Sequence, residues 1–409
     1  MICRNSPWLP LLVLLLGAGC AEEATKTDEA ERKQRLRSLP YVSYSDQPAR
    51  SAGGVVKHDA NRSYPGYNLY VVRGLCRAEL LDSAGTVLGS WHDDTFDFWQ
   101  DFELLPGGSF LVLGRKKTPD DGRPADPFGN RALLKLSARG EKLLEVPIDA
   151  HHEIHFTPGR PLVTLLFDWR QIREVHDEAP VLDNRLATIS DLGEVVDSVS
   201  LYDLLRDAAD FRLQDVKEVD GPGGAYVDLL HTNTVEWIEH SGTDPIYAPG
   251  NLIVTIRHQD AVVIVDWEVK EVIWSWGQGE LSGPHDATVL DNGNILIFDN
   301  GLGRDWSRVV ELEPLTGRIV WEYRAPDPED FYTATRGTSQ RLANGNTLIT
   351  ESNRGRVIEV TPSGEIVWEF HTPHRDARGH PANIIRMRRY EQADVAEILV
   401  SRSTRAPEE

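Results

Sequence analysis

The stretch Gly283-Pro284-His285-Asp286-Ala287-Thr288-Val289-Leu290-Asp291-Asn292-Gly293-Asn294-Ile295-Leu296-Ile297 decides the fold. A histidine-bearing lead runs into a short apolar segment, Asn-Gly-Asn reverses the chain, and a second apolar segment follows. Asn and Gly accept the positive φ that a tight hairpin demands, so the stretch reads as two antiparallel strands. Gly337-Thr338-Ser339-Gln340-Arg341-Leu342-Ala343-Asn344-Gly345-Asn346-Thr347-Leu348-Ile349 repeats the beat. Each copy leads into two more runs with period-2 alternation. They are Arg308-Val309-Val310-Glu311-Leu312 with Arg318-Ile319-Val320-Trp321-Glu322-Tyr323, and Arg356-Val357-Ile358-Glu359-Val360 with Glu365-Ile366-Val367-Trp368-Glu369-Phe370. The repeating unit is a four-stranded antiparallel sheet that ends near Trp.

Aligning the segment before each turn gives six positions. They are Trp99-Gln100-Asp101, His151-His152-Glu153, His231-Thr232-Asn233, His285-Asp286, Gln340, and His380-Pro381-Ala382-Asn383. Positions 231, 285 and 340 lie 54 and 55 residues apart, which suits a propeller blade with its loops. A βαβ architecture is disfavoured, because the intervals lack helix-period stretches for parallel crossovers. The expected fold is all-β, a six-bladed β-propeller with four-stranded blades, over residues 66–403. The step from 152 to 231 is 79 residues, so an insertion is expected around residues 182–213, with helical spacing at Ser200-Leu201-Tyr202-Asp203-Leu204-Leu205. The strands around 67–73, 77–81 and 86–91 lack an inner strand of their own. Residues 383–388 and 396–400 are expected to supply it, so that the last blade is closed by strands from both termini and hides its edges.

Residues 1–19 read as an export signal: Arg4, an apolar run over 8–16, then Gly17-Ala18-Gly19-Cys20. The run is too short for a comfortable membrane span. The Gly-Cys junction resembles a bacterial lipoprotein processing site, which makes Cys20 the lipidated residue and implies the periplasmic face of the outer membrane. Residues 20–65 are charged and poor in large apolar groups, as a tether should be. Only Cys76 then remains, so neither an intramolecular disulfide nor a thiolate metal site is available. A formal charge of −21 argues against nucleic acid or an anionic membrane surface as partner. An anionic small molecule stays compatible with it, since a cluster of His and Arg reverses the sign locally. No cofactor is expected, and the oligomeric state is left open.

In a propeller the innermost strands converge on the axis, so His152, His231, His285, Gln340 and His380 are expected to face one cavity. Arg257-His258 and the equivalent Asp299-Asn300 sit one strand out from the axis at the same rim, and Ser307-Arg308 and Thr335-Arg336 add groups near it. Several imidazoles with one or two guanidiniums suit a tetrahedral oxyanion: arginine offers paired planar donors, and histidine acts as donor, nucleophile or proton carrier. Asp286 and Glu153 each follow a histidine and either orient an imidazole or pair with backbone amides. Zinc on His231, His258 and His285 is a competing reading, since three imidazoles suffice as protein ligands. The tryptophans are expected to pack between blades.

The strings Asp228-Leu229-Leu230-His231-Thr232-Asn233-Thr234, Asn251-Leu252-Ile253-Val254-Thr255-Ile256-Arg257-His258 and Pro284-His285-Asp286-Ala287 resemble the bacterial arylsulfate sulfotransferase family, as does the stretch 337–346. The similarity covers residues 68–388. It implies transfer of a sulfuryl group from an aryl sulfate to a phenol through a sulfohistidine. His285 matches the nucleophile, His231 and the pair His151-His152 match the supporting histidines with His152 preferred, and Arg257 matches the sulfuryl-gripping arginine. His151, His258, Arg308, Gln340 and His380 complete the expected substrate-binding set. The alternative is a non-catalytic envelope propeller that binds a protein or glycan at its mouth.

Overall fold

The computed structural model describes residues 53–118, 128–221, 223–240 and 242–403. The expected signal segment and Cys20 lie outside the described residues. Six sheets, each built on four antiparallel strands, are arranged as the blades of a β-propeller. Blade 1 runs from axis to rim as Ile384–Tyr390, Tyr67–Val72, Arg77–Leu81 and Val87–His92. Blade 2 comprises Phe96–Leu104, Phe110–Lys116, Arg131–Leu136 and Lys142–Pro147, and blade 3 Ala150–His155, Leu162–Arg170, Val181–Ile189 and Val195–Ser200. Blade 4 is Thr232–Trp237, Asn251–Ile256, Ala261–Asp266 and Glu271–Trp276. Blade 5 is His285–Val289, Ile295–Asp299, Arg308–Glu313 and Arg318–Tyr323, and blade 6 Thr338–Arg341, Thr347–Glu351, Arg356–Val360 and Ile366–His371.

Blade 1 takes its inner strand from the C-terminal part of the chain, paired as Tyr67↔Tyr390 through Val72↔Ile384. The sharing of this blade between both ends of the chain is as expected, but residues 396–400 are not strand. They lie in helix α2 (Gln392–Ser403), whose Val395 and Ile398 enter the core beside Trp99, Phe102 and Phe110. The expected tether also stops short of residue 65. Gly54–His58 adds a fifth strand to the outer edge of blade 6, where it covers an open row of backbone donors and acceptors.

The hydrophobic core is divided into wedges between blades. Ile253, Val262 and Ile264 of blade 4 meet Ile295, Ile297, Val310 and Leu312 of blade 5, and five further clusters join the other neighbours. Central strands such as Val262-Val263-Ile264-Val265 are buried on both faces, which explains why they read as unbroken apolar runs. The tryptophans near the ends of the blades act as latches. Indole N–H groups of Trp91, Trp274, Trp321 and Trp368 donate to the carbonyls of Ala138, Pro314, Pro362 and Ser83, at 2.8–3.2 Å. Each acceptor sits in the outer hairpin of the next blade, and Trp368 carries the pattern across the seam from blade 6 to blade 1.

Blade 3 carries the long excursion, with its helix at the expected stretch, but the extra chain starts later than residue 182. Residues 182–189 pair in unbroken register with Leu162–Arg170 and are ordinary blade strand. The extra chain begins at helix α1 (Leu201–Asp207), capped by the Ser200 hydroxyl, which accepts from Asp203 N–H. It returns through Gly224–Asp228, which pairs parallel with the start of Val181–Ile189 (Val181↔Val227, Leu182↔Asp228). That parallel pairing delivers Asp228, and three residues later His231, to the axis.

Candidate active site

The inner strands of blades 1–5 are not regular. Each is interrupted by a register shift: near Ile385-Arg386, Gln100, His152-Glu153, Asn233 and Asp286-Ala287. A bulge places successive side chains on one side of a strand and re-aims them, here toward the axis. Backbone strain marks two of these bulges and two strand entries: His152 and Asp286 have φ of 61° and 51°, and His231 and Arg336, just before their inner strands, 45° and 60°. Left-handed non-glycine residues in four successive blades are uncommon and concentrate at functional sites.

His285 is 7% exposed. Its Nδ1 lies 2.7 Å from Asn300 Oδ1, and Asn300 Nδ2 donates to the carbonyls of Thr333 and Arg336. With the amide nitrogen so engaged, Asn300 Oδ1 must accept, and the network assigns the proton of His285 to Nδ1. Nε2 carries the lone pair and accepts from the Arg336 backbone N–H at 3.0 Å. His231 is oriented by Asp228 Oδ2, 2.5 Å from Nδ1. His258 donates from Nδ1 to the Asp228 carbonyl at 2.6 Å and accepts at Nε2 from Arg257 Nη1 at 2.9 Å. Ring centroids step from His151 to His152 (5.0 Å), to His231 (5.2 Å), to His258 (4.6 Å). His151 and His152 approach through their Nδ1 atoms at 2.7 Å, and His151 stacks on Phe167.

All five imidazoles titrate well below the ordinary histidine range. Burial is the first cause for each, and Arg257 comes next for His231 and His285. They are neutral bases near pH 7. The guanidiniums press on one another as well. Burial and then Arg257 bring Arg336 down to about 10, and burial followed by Arg336, Arg131 and Arg115 lowers Arg73. Such a gathering of like charge in a buried hollow favours an anionic guest.

Beneath the histidines the sign reverses. Arg386 binds Glu153 (2.9 Å), Asp101 (2.6 Å) and Glu103 (3.1 Å), all buried. Asp286 accepts from Ser339 N–H at 2.6 Å, which selects the backbone-amide reading for this residue. Glu153 takes neither expected role, because Arg386 holds it. Burial lifts Asp286 up to about 6. A cavity of about 50 Å³ joins the layers, lined by His152, His285 and Arg336 on one side and Asp101, Glu153, Asp286 and Arg386 on the other.

His285, His231, His152, Arg257, His151 and His258 are therefore brought together. Three expected residues are not part of that cluster. The Arg308 guanidinium is committed to Asp299, Glu322 and the Glu280 carbonyl, which makes it a clamp between outer strands. Gln340 exchanges two hydrogen bonds with the Arg389 backbone and closes the ring between blades 6 and 1. His380 sits in the loop before the closing strand, where its N–H bonds Asp376, four residues ahead of the inner strand and so out of phase.

The repeat places Asn300 at the rim without a role, and Asp228 and Arg73 are not among its positions. A signal existed for Arg73. Arg73, Arg257, Asn300 and Ser352 each directly follow the second strand of their blades. A second phase in the repeat thus faces the site. Nor does the fold assemble the zinc trio considered above. Asp228, His231 and His258 hold ligand atoms within 4.8 Å of one another, without His285. Both His258 nitrogens are engaged and Arg257 adjoins, so this trio suits a cation poorly.

The arylsulfotransferase (ASST) family model matches residues 127–373, more than half of the chain. No curated protein matches. Among solved structures, a Bacteroides caccae protein of unknown function is 13% identical, with 79% of this chain and 98% of that one covered and a TM-score of 0.48. The periplasmic gluconolactonase PpgL of Pseudomonas aeruginosa is 13% identical, covering 78% and 98% with a TM-score of 0.43. The Cps50 (Swd1) β-propeller domain of Myceliophteria thermophila is 11% identical, covering 81% and 98% with a TM-score of 0.44. These likenesses are too distant to bear on chemistry. The family match spans the strands that deliver Asp228, His231, Arg257, His285 and Asn300, and the protein belongs to the arylsulfotransferase family.

Proposed function

We propose that the protein transfers a sulfuryl group from an aryl sulfate to a phenol by way of a sulfohistidine at His285. The observation that carries this reading is the Asn300–His285 pair, which fixes the proton on Nδ1 and leaves Nε2 as a neutral nucleophile among guanidiniums. The Nε2 lone pair attacks sulfur, the N–S bond forms, and the S–O bond to the aryl group breaks with departure of the phenolate. To do so the donor displaces the Arg336 amide from Nε2. Arg257 and Arg336 stabilise charge on the sulfuryl oxygens. In the second half His231, held by Asp228, accepts the proton of the acceptor phenol. The phenolate oxygen then attacks sulfur, the N–S bond breaks, and the proton passes from His231 to the first phenolate or to solvent.

The test is release of para-nitrophenol from its sulfate ester by the purified protein, with phenol as acceptor. Acceptor-dependent release with formation of phenyl sulfate supports the reading, and no release between mildly acidic and mildly basic pH rejects it. Export and lipid attachment at Cys20 belong to the same proposal, and metabolic labelling with palmitate, lost in Cys20→Ser, checks them.

A further inference from the structure

The acidic layer holds a second constellation that the sulfuryl chemistry does not use. Glu153 and His155 project from the inner strand of blade 3 and Glu236 from that of blade 4, with one ligand atom from each within 4.8 Å of the others. His155 is 9% exposed, its Nε2 lies 3.1 Å from Thr157 Oγ1, and its buried Nδ1 has no hydrogen-bond partner among the described residues. A buried imidazole nitrogen beside two carboxylates is poorly explained as structure alone.

We propose that Glu153, His155 and Glu236 form a site for a divalent transition-metal ion, of the Zn²⁺ or Mn²⁺ class, inside the axial channel. One imidazole with two carboxylates is a mixed N/O donor set, which favours these ions over Ca²⁺ or Mg²⁺ and leaves a position for water. Charge points the same way. Asp101, Glu103, Glu153, Glu236 and Asp286 are buried here against the guanidiniums of Arg386 and Arg388. Arg386 is shared among three of these carboxylates, and Arg388 stands 3.5 Å from Glu236. A divalent ion supplies positive charge that two arginines do not. A route to the site exists, because Glu236 and Arg388 also line a cavity of about 650 Å³ on the far side from the histidines. The ion would tie blade 3 to blade 4 at the junction where the connecting chain makes its longest excursion, and would steady Glu153 next to His152.

The full-length protein is stripped with chelator and titrated separately with Zn²⁺ and Mn²⁺, with calorimetry, metal analysis and thermal unfolding as readouts. One ion per chain and a rise in Tm of about 3 °C or more are expected at saturation. His155→Gln and Glu236→Gln should each weaken binding by about 100-fold or more, while His258→Gln should bind as the parent does. Two substitutions are used because a single one that failed to fold would be uninformative. Absence of stoichiometric binding in the parent overturns the proposal. So does binding that survives both Gln variants but is lost in His258→Gln, which would place the ion at Asp228, His231 and His258. Neither result depends on sulfuryl transfer.

Discussion

Two layers of the same channel make opposite use of buried charge. Around His285 and His231 the fold gathers neutral imidazoles with Arg257 and Arg336, and burial together with like charge depresses their pKa values. Across the small cavity from them, Arg386 is wrapped by Asp101, Glu103 and Glu153. The first arrangement gathers positive charge that an anion relieves, whereas in the second one guanidinium is shared by three carboxylates at hydrogen-bond distance. Sites that work on a substrate tolerate charge that folding alone would not favour, whereas charge pairs that hold a fold come with their partners. The upper layer should therefore govern turnover, and the lower layer stability.

The contrast can be broken most sharply at His285. His285→Gln should lower kcat by a factor of at least ~1000 while shifting Tm little, because the amide keeps a polar group toward Asn300. A comparable fall in Tm would mean that the upper layer is structural. Next in size, Arg386→Met should destabilise the protein by about 3–5 kcal/mol, since it leaves three buried carboxylates without their shared partner. Denaturant titration reads this directly, and unchanged stability would erase the distinction between the layers.

Arg257→Gln should cost roughly 100-fold in kcat/KM. It also carries a signed pH effect. Arg257 lowers the pKa of His285, so its removal lets that pKa rise, and the acid limb of kcat/KM should move to higher pH. A limb that stays in place or moves lower would separate Arg257 from the nucleophile. The smallest effect belongs to the rim. Trp321→Phe removes one inter-blade indole hydrogen bond and should cost about 1 kcal/mol with activity retained.

The same contrast explains what could be read in advance. Blades 5 and 6 announce themselves because hairpin chemistry, strand alternation and the terminal Trp obey local rules, and the glycine turns at Gly293 and Gly345 do adopt φ of 84° and 86°. His231 and His285 were visible because they recur at one phase of that repeat. Arg308 and Gln340 share the repeat but are captured by Asp299 and by the Arg389 backbone, partners that spacing does not reveal. Asp228 arrives through a parallel strand after a long excursion, and Arg73 from a blade completed by the other end of the chain. Both contributions are non-local, and a one-dimensional pattern gives little purchase on them. The bulges that turn side chains toward the axis are likewise set by pairing partners dozens of residues away.

In the proposed reaction the neutral Nε2 of His285 carries the sulfuryl group between donor and acceptor. Incubation with para-nitrophenyl sulfate without acceptor, followed by rapid peptide mapping under alkaline conditions, tests it directly. A mass increase of one SO₃ is expected on the peptide containing His285, discharged by added phenol and missing in His285→Gln. Turnover with no adduct on that peptide, or with the adduct on His231 or His152, would contradict it.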